Sequence, residues 1–288
     1  MENTSTRKER VKAIIYTIIA AALLSTGGIL LKFIDMHPMA IAGSRGIIAT
    51  AIVWMYLKKP NFTFSKAQVI GGICYALMVT GFILANKLTT AANAVVLQFT
   101  APIWVAILGV WILKEKIRFY DGISIVVVSI GMVLFFLEDM GGGTLAGNIV
   151  AILSGIALAG STIGMRLQKD GSPVETTLLG HIITVFLGLP FIFQANFTLQ
   201  NIIGILLLGV FQLGISYILY ALAIKHLKAL ESMLIMFLEP ILNPIWVAIF
   251  YGEKPSLYSL IGGIIILITL AIRSVLASRD GEVEEEAL

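Results

Sequence analysis

The sequence predicts an all-α integral membrane protein with ten transmembrane helices, built as two inverted five-helix repeats. Three observations carry this expectation. The 288 residues are 58% hydrophobic and 13% charged, with a mean hydropathy of +0.95, whereas a soluble domain carries about 25% charged residues. Apolar runs fill nearly the whole chain, each about the 20 residues that a helix needs to cross a hydrocarbon core of about 30 Å. Two of these runs are also versions of one another, 138 residues apart: AANAVVLQFTAPIWVAILGVWILKEK (91–116) and ALESMLIMFLEPILNPIWVAIFYGEK (229–254). Superposed, they pair Lys87 with Lys225, Ala91 with Ala229, Phe99 with Phe237 and Pro102 with Pro240. They also pair Ile103 with Ile241, Ile107 with Ile245, Glu115–Lys116 with Glu253–Lys254 and Tyr120 with Tyr258. A repeat of half a chain, made of membrane helices, is the mark of a secondary transporter.

The first apolar segment, 11–34, follows the basic TRKERVK. No small-residue cleavage site closes it, so it reads as a retained helix rather than a signal peptide. DMHP (35–38) separates it from 39–57, and KKPNFTFSK (58–66) separates that from 67–85. A short turn leads to 91–113, KEKIR (114–118) to 119–137, and EDMGGG (138–143) closes the first repeat. In the second repeat, 144–166 and 174–194 flank QKDGSP (168–173), 199–222 and 229–250 follow, and GEKPS (252–256) opens 256–277. The repeats are thus 11–137 and 144–277, and 278–288 is expected as an irregular, acidic cytoplasmic tail. Turns this short, rich in Gly, Pro, Asp and Ser, make consecutive helices antiparallel neighbours.

Charge sets the orientation. With the N-terminus inside, sixteen of the 20 Lys and Arg residues fall in inner loops and ends, three outside (Lys32, Lys87 and Lys254), and Arg45 within a span. Lys and Arg favour the cytoplasmic side, so both termini are expected there. Five helices per copy then make the copies inverted.

Glu239 is the leading functional candidate. It lies ten residues into the ninth segment, about 15 Å from its inner end, where a carboxylate costs several kcal/mol unless it meets a partner or a wet cavity. Pro240 and Pro244 follow it, and with Pro102 they are candidate hinges, because each proline removes an N–H and crowds the carbonyl four residues back. Ser232, Met236, Glu239, Asn243 and Trp246 recur at helical spacing and form one stripe. Arg45, seven residues from the outer end of the second segment, is either a counter-ion for an anionic group or a snorkelling side chain. His181 is a candidate for titration or for an interhelical hydrogen bond. Gln212, Ser216 and Tyr220 form a polar stripe in the eighth segment, and Trp104 shares a face with Asn93 and Thr100. The four tryptophans otherwise default to interfacial belts, and Arg166 to an interface anchor.

Other classes lack their marks. The chain has no Walker loop, no metal-ligand spacing, no nucleophile motif and no dinucleotide fingerprint. Its single Cys74 cannot form an intrachain disulfide and reads as a packing residue. Neither a cofactor nor an enzyme activity is expected.

The ten-helix plan and doubled element resemble the drug/metabolite transporter superfamily, specifically its EamA-type family. The carrying residues are Pro102 and Glu115 in the first half, Glu239–Pro240 and Gly252–Glu253 in the second, and Arg45. Many members have a Trp-Gly step in helix 1, where this chain has Ser25-Thr26-Gly27-Gly28. The resemblance implies helices around a central cavity, with helices 5 and 10 peripheral, and alternating access by rocking of the repeats. It implies a secondary active transporter of small metabolites, amino acids or related solutes, exporting them across the cell membrane with protons as a coupling partner. Glu239 would be the proton or cation site and Arg45 the anion partner. The partners are the solute, protons and membrane lipids, not nucleic acid, and the protein would be a monomer or homodimer. A multidrug or organic-cation exporter is the alternative within transport. A non-transporting scaffold or lipid scramblase-like protein is the alternative outside it.

Overall fold

The structure, a computed structural model, describes residues 2–140, 142–252 and 256–286. Glu253 and Lys254 of the repeated element, and the side chain of the candidate hinge Pro244, lie outside the described residues. In chain order the helices are α1 (Glu2–Leu24, resuming as Gly27–Lys32), α2 (Pro38–Leu57), α3 (Lys66–Leu88), α4 (Ala91–Gln98, then Ala101–Leu108 and Gly109–Leu113) and α5 (Phe119–Phe135). They continue as α6 (Leu145–Leu167), α7 (Pro173–Ile192), α8 (Leu199–Leu207, then Leu208–Ile215 and Ser216–Ala223), α9 (Ala229–Ile235, then Leu238–Tyr251) and α10 (Leu257–Glu286). Among the described residues there are nine helices long and apolar enough to cross a membrane, and α5 is an apolar helix of 17 residues.

Local chemistry explains the starts. The hydroxyls of Ser65, Thr90, Thr144 and Thr198 accept the N–H three residues on, at the heads of α3, α4, α6 and α8, which satisfies a donor that a helix leaves open. Pro38 and Pro173 stand first in α2 and α7, where a missing N–H costs nothing. Further on, Pro102 and Pro240 each follow a break in their helix. α4 breaks at Phe99–Thr100 and α9 at Met236–Phe237, beside the carbonyls that each ring crowds. α1 breaks at Ser25–Thr26 without a proline, while α6 runs unbroken through Ser161–Thr162.

Packing follows small residues. A Cβ on Gly188 of α7 would lie 2.6 Å from the Cα of Gly43 in α2, and one on Gly164 of α6 would lie 2.5 Å from the Cα of Gly71 in α3. Glycine is required at both crossings because lipid gives helices no hydrophobic reason to associate, and close backbone approach supplies van der Waals contact instead. α3 thus lies along α6 and α7, α2 along α7 and α8, α1 along α8, and α5 along α10. One core centres on Tyr75, Leu178, Tyr217 and Met236. A second centres on Phe99, Met132, Met233 and Phe237. The backbone of the last helix runs to Glu286; VEEE is composed of residues a helix accepts, and only Gly281 interrupts it.

Candidate functional site

The first core contains a polar centre. Arg45, 9% exposed, does not snorkel; its Nη1 donates to Oε1 of Gln212 on α8 at 2.8 Å. Its Nε is buried without a partner. Around it stand the rings of Tyr75 and His181, edge to face with centroids 4.8 Å apart, and of Tyr217, 4.8 Å from Tyr75 and 5.9 Å from His181. Among the described residues, both His181 ring nitrogens are buried without a hydrogen-bond partner. The interhelical hydrogen bond expected of His181 is therefore absent. Thr177 and Thr184, on its face, donate to carbonyls of their own helix.

Glu239 sits beyond the α9 break, within electrostatic reach of Arg45 and Tyr217. Its side chain makes no hydrogen bond or ion pair among the described residues, and it is only partly buried. A guanidinium and a carboxyl group thus share the centre, with no bond between them among the described residues. The rest of the α9 stripe closes the site. Ser232 faces the Tyr220 hydroxyl at 3.5 Å, which faces Thr162 of α6 at 3.3 Å. Trp246 donates to the Ser25 hydroxyl at the α1 break, 2.8 Å away, so it is no belt residue. A Cβ on Gly28 would strike the Asn243 side chain, and one on Gly27 would lie 2.5 Å from Gln212. The glycines let the broken part of α1 press against both amides.

The structure thus gathers Arg45, Gln212, Asn243, Glu239, Tyr220 and His181. It leaves two candidates apart. The Ser216 hydroxyl donates to the carbonyl of Phe211 at 2.7 Å within α8. Trp104 donates to Thr100 at 3.3 Å and packs on the second core. Arg166, in the last turn of α6, pairs with Glu115 at 2.7 Å. Sequence reading missed Tyr75 and Tyr217; a tyrosine in an apolar helix looks like packing until its ring is seen beside a buried guanidinium, and the Tyr217 hydroxyl meets the Met78 sulfur, at 4.0 Å. Among the described residues no cluster could hold a metal ion.

Apolar helices around a buried polar centre define a polytopic membrane protein. The EamA-like transporter family matches residues 11–137 and 145–275. An uncharacterized transporter of Bacillus subtilis, YxxF, is 24% identical over 96% of this chain and 93% of its own length. An uncharacterized transporter of Clostridium kluyveri is 25% identical over 87% of this chain and 86% of its own. Human solute carrier family 35 member G1 is 26% identical over 56% of this chain and 48% of its own. A crystal structure sharing 16% identity superposes with a TM-score of 0.78 over 93% of this chain and 98% of that one, which shows the same fold. The chain belongs to the EamA-like transporter family, of the drug/metabolite transporter type, and carries a small-molecule solute through a membrane.

Proposed function

We propose that the protein is a secondary active exporter of small zwitterionic metabolites, amino acids or related solutes, working by alternating access with proton coupling at Glu239. The observation that carries this is the pair Arg45 and Glu239: opposite charges in one buried centre, with no ion pair between them. A buried charge without a partner is expensive. A zwitterion offers its anionic group to Arg45 and Gln212 and its ammonium to Glu239, and a proton takes the carboxylate when the solute leaves.

Several features support two inverted five-helix halves, 11–137 and 144–277, with α5 as a tenth span and α4 and α9 hinged beside Pro102, Pro240 and Pro244. Helix contacts match under the exchange of α1–α5 with α6–α10: α3 on α6 corresponds to α8 on α1, and α3 on α7 to α8 on α2. α4 and α9 break at equivalent points. Both end in a left-handed residue at equivalent positions, Lys114 with φ 56° and Gly252 with φ 70°. The basic loops support cytoplasmic termini in the cell membrane.

Purified protein in sealed vesicles is expected to move labelled amino acid without ATP, and an outward proton gradient to change the rate. No flux across a broad panel of amino acids and amines would sink the proposal.

A further inference from the structure

Every ion pair among the described residues lies at one end of the bundle, the end with the basic loops. Four of them cross between the halves, one being the exposed pair of Glu9 and His226 at 3.5 Å. Arg273 of α10 meets Asp121 of α5 at 3.0 Å, and also Glu231 of α9 at 3.2 Å. Glu231 takes Arg10 of α1 at 2.8 Å. Glu115, after α4, accepts from Arg166 of α6 at 2.7 Å and from the Ala229 N–H at 3.0 Å. Arg166 also donates to the carbonyls of Ile224 and Lys225, at 2.8 and 2.9 Å. Arg273, Asp121 and Glu231 are 4–5% exposed.

Toward the other end, the Arg45–Gln212 bond of the site is the charged link described between the halves, and the bonds at the end itself are neutral. Asn201 exchanges bonds with the backbone of Asp35, both at 3.1 Å. The Thr89 hydroxyl donates to Asn148 at 2.7 Å, and the Ser259 hydroxyl to the Phe135 carbonyl at 2.7 Å. That last bond is the repeat mate of the buried ion pair. Position 259 lies 138 after Asp121, and position 135 lies 138 before Arg273. One contact of the duplicated plan is therefore charged at one end and neutral at the other.

We infer that the charged ring is a latch holding the basic-loop end shut, so that the resting protein opens its solute site toward the opposite side. The inference rests on the alternating-access reading above. Charge-assisted hydrogen bonds are roughly twice as strong as neutral ones, and parting a buried pair strands both charges. Water readily replaces the neutral bonds of the other end. The latch also grips the first piece of α9 through Ala229 and Glu231. Releasing it frees the segment that leads, across the Met236–Phe237 break, to Glu239. A water-sized crevice of about 10 Å³ between Glu115, Asp121, Lys228 and Arg273 gives solvent a way to the pairs.

The test places a reporter, Ser232→Cys with Cys74→Ser, in the latch-side half of α9, where Ser232 is fully buried. Labelling by a membrane-impermeant maleimide is timed in inside-out vesicles. Asp121→Ser with Arg273→Phe copies the neutral contact and is expected to raise the labelling rate about fivefold, the gap between charged and neutral bonds. Arg166→Gln provides the same reading should that double variant not fold. Ser259→Asp with Phe135→Arg, which copies the charged contact, should leave the rate at or below that of the parent. Folded latch variants labelling at the parent rate, or the copied outer latch raising the rate equally, would overturn the latch. Latch-dependent labelling in a protein that moves no solute would overturn the carrier reading instead and leave the latch standing.

Discussion

Phe99 and Phe237 hold the same place in the two copies of the repeat, and they touch: their ring centroids are 5.1 Å apart with planes at 65°. In the inverted arrangement proposed above, mates meet each other only on the pseudo-two-fold axis. The contact therefore puts that axis at the breaks in α4 and α9. Both rings are buried in the second core. Phe99→Ala and Phe237→Ala should each cost about 3–5 kcal/mol, seen as a lower Tm of the purified protein, with Phe→Leu costing less than about 1.5 kcal/mol. A harmless Phe237→Ala would show that the axis contact bears little.

Glu239→Gln keeps the shape of the side chain and removes its charge. The variant should insert, fold and keep its Tm. Solute flux should then no longer respond to an imposed pH gradient. Full pH-driven transport by the variant would remove Glu239 from the coupling step.

Arg45→Ala takes away the only cation that Gln212 meets in the described contacts. Transport of zwitterionic and anionic solutes is expected to fall at least about tenfold, since a lost charged hydrogen bond is worth about 1.5–3 kcal/mol. Transport of organic cations surviving alone would move the protein to the organic-cation class, which needs Glu239 but not Arg45.

Gly28→Ala drives a methyl into the Asn243 side chain. Overpacking of this kind costs about 1–3 kcal/mol. Thermal stability should drop, and adding Asn243→Ala should restore it without restoring flux. Stability unchanged by Gly28→Ala would mean that α1 does not press on the amide.

Much of this was legible in the sequence, because a bilayer leaves few options. Spans must be apolar and helical, so the all-helical membrane class stood out, as did a carboxylate and a guanidinium placed inside apolar segments. Arg45 meets Gln212 directly, and Asn243 lies against Gly28. What stayed hidden depends on contacts made only in three dimensions. The α1 break at Ser25–Thr26 has no proline; its marks are the weaker ones of two hydroxyls bonded back to Ala22 and Leu23 and two glycines after them. Ser216 and Gln212 looked alike, yet one turned to its own backbone and the other to Arg45. Among the described residues His181 has ring contacts but no hydrogen-bond partner, and Arg166 has three.

The Leu208–Ile215 stretch of α8 is wound in wider turns. An α-helix rotates about 100° per residue, and a run of i→i+5 bonds holds extra chain in each turn. The stretch is thus a phase shifter. It sets the angle between Gln212, turned to α2, and Tyr220, turned to α6 and α9. Deleting one residue there would swing every later side chain by about a quarter of a circle. α8 should accept many substitutions but no change of length, a pattern that a scan of single-residue deletions would expose at once.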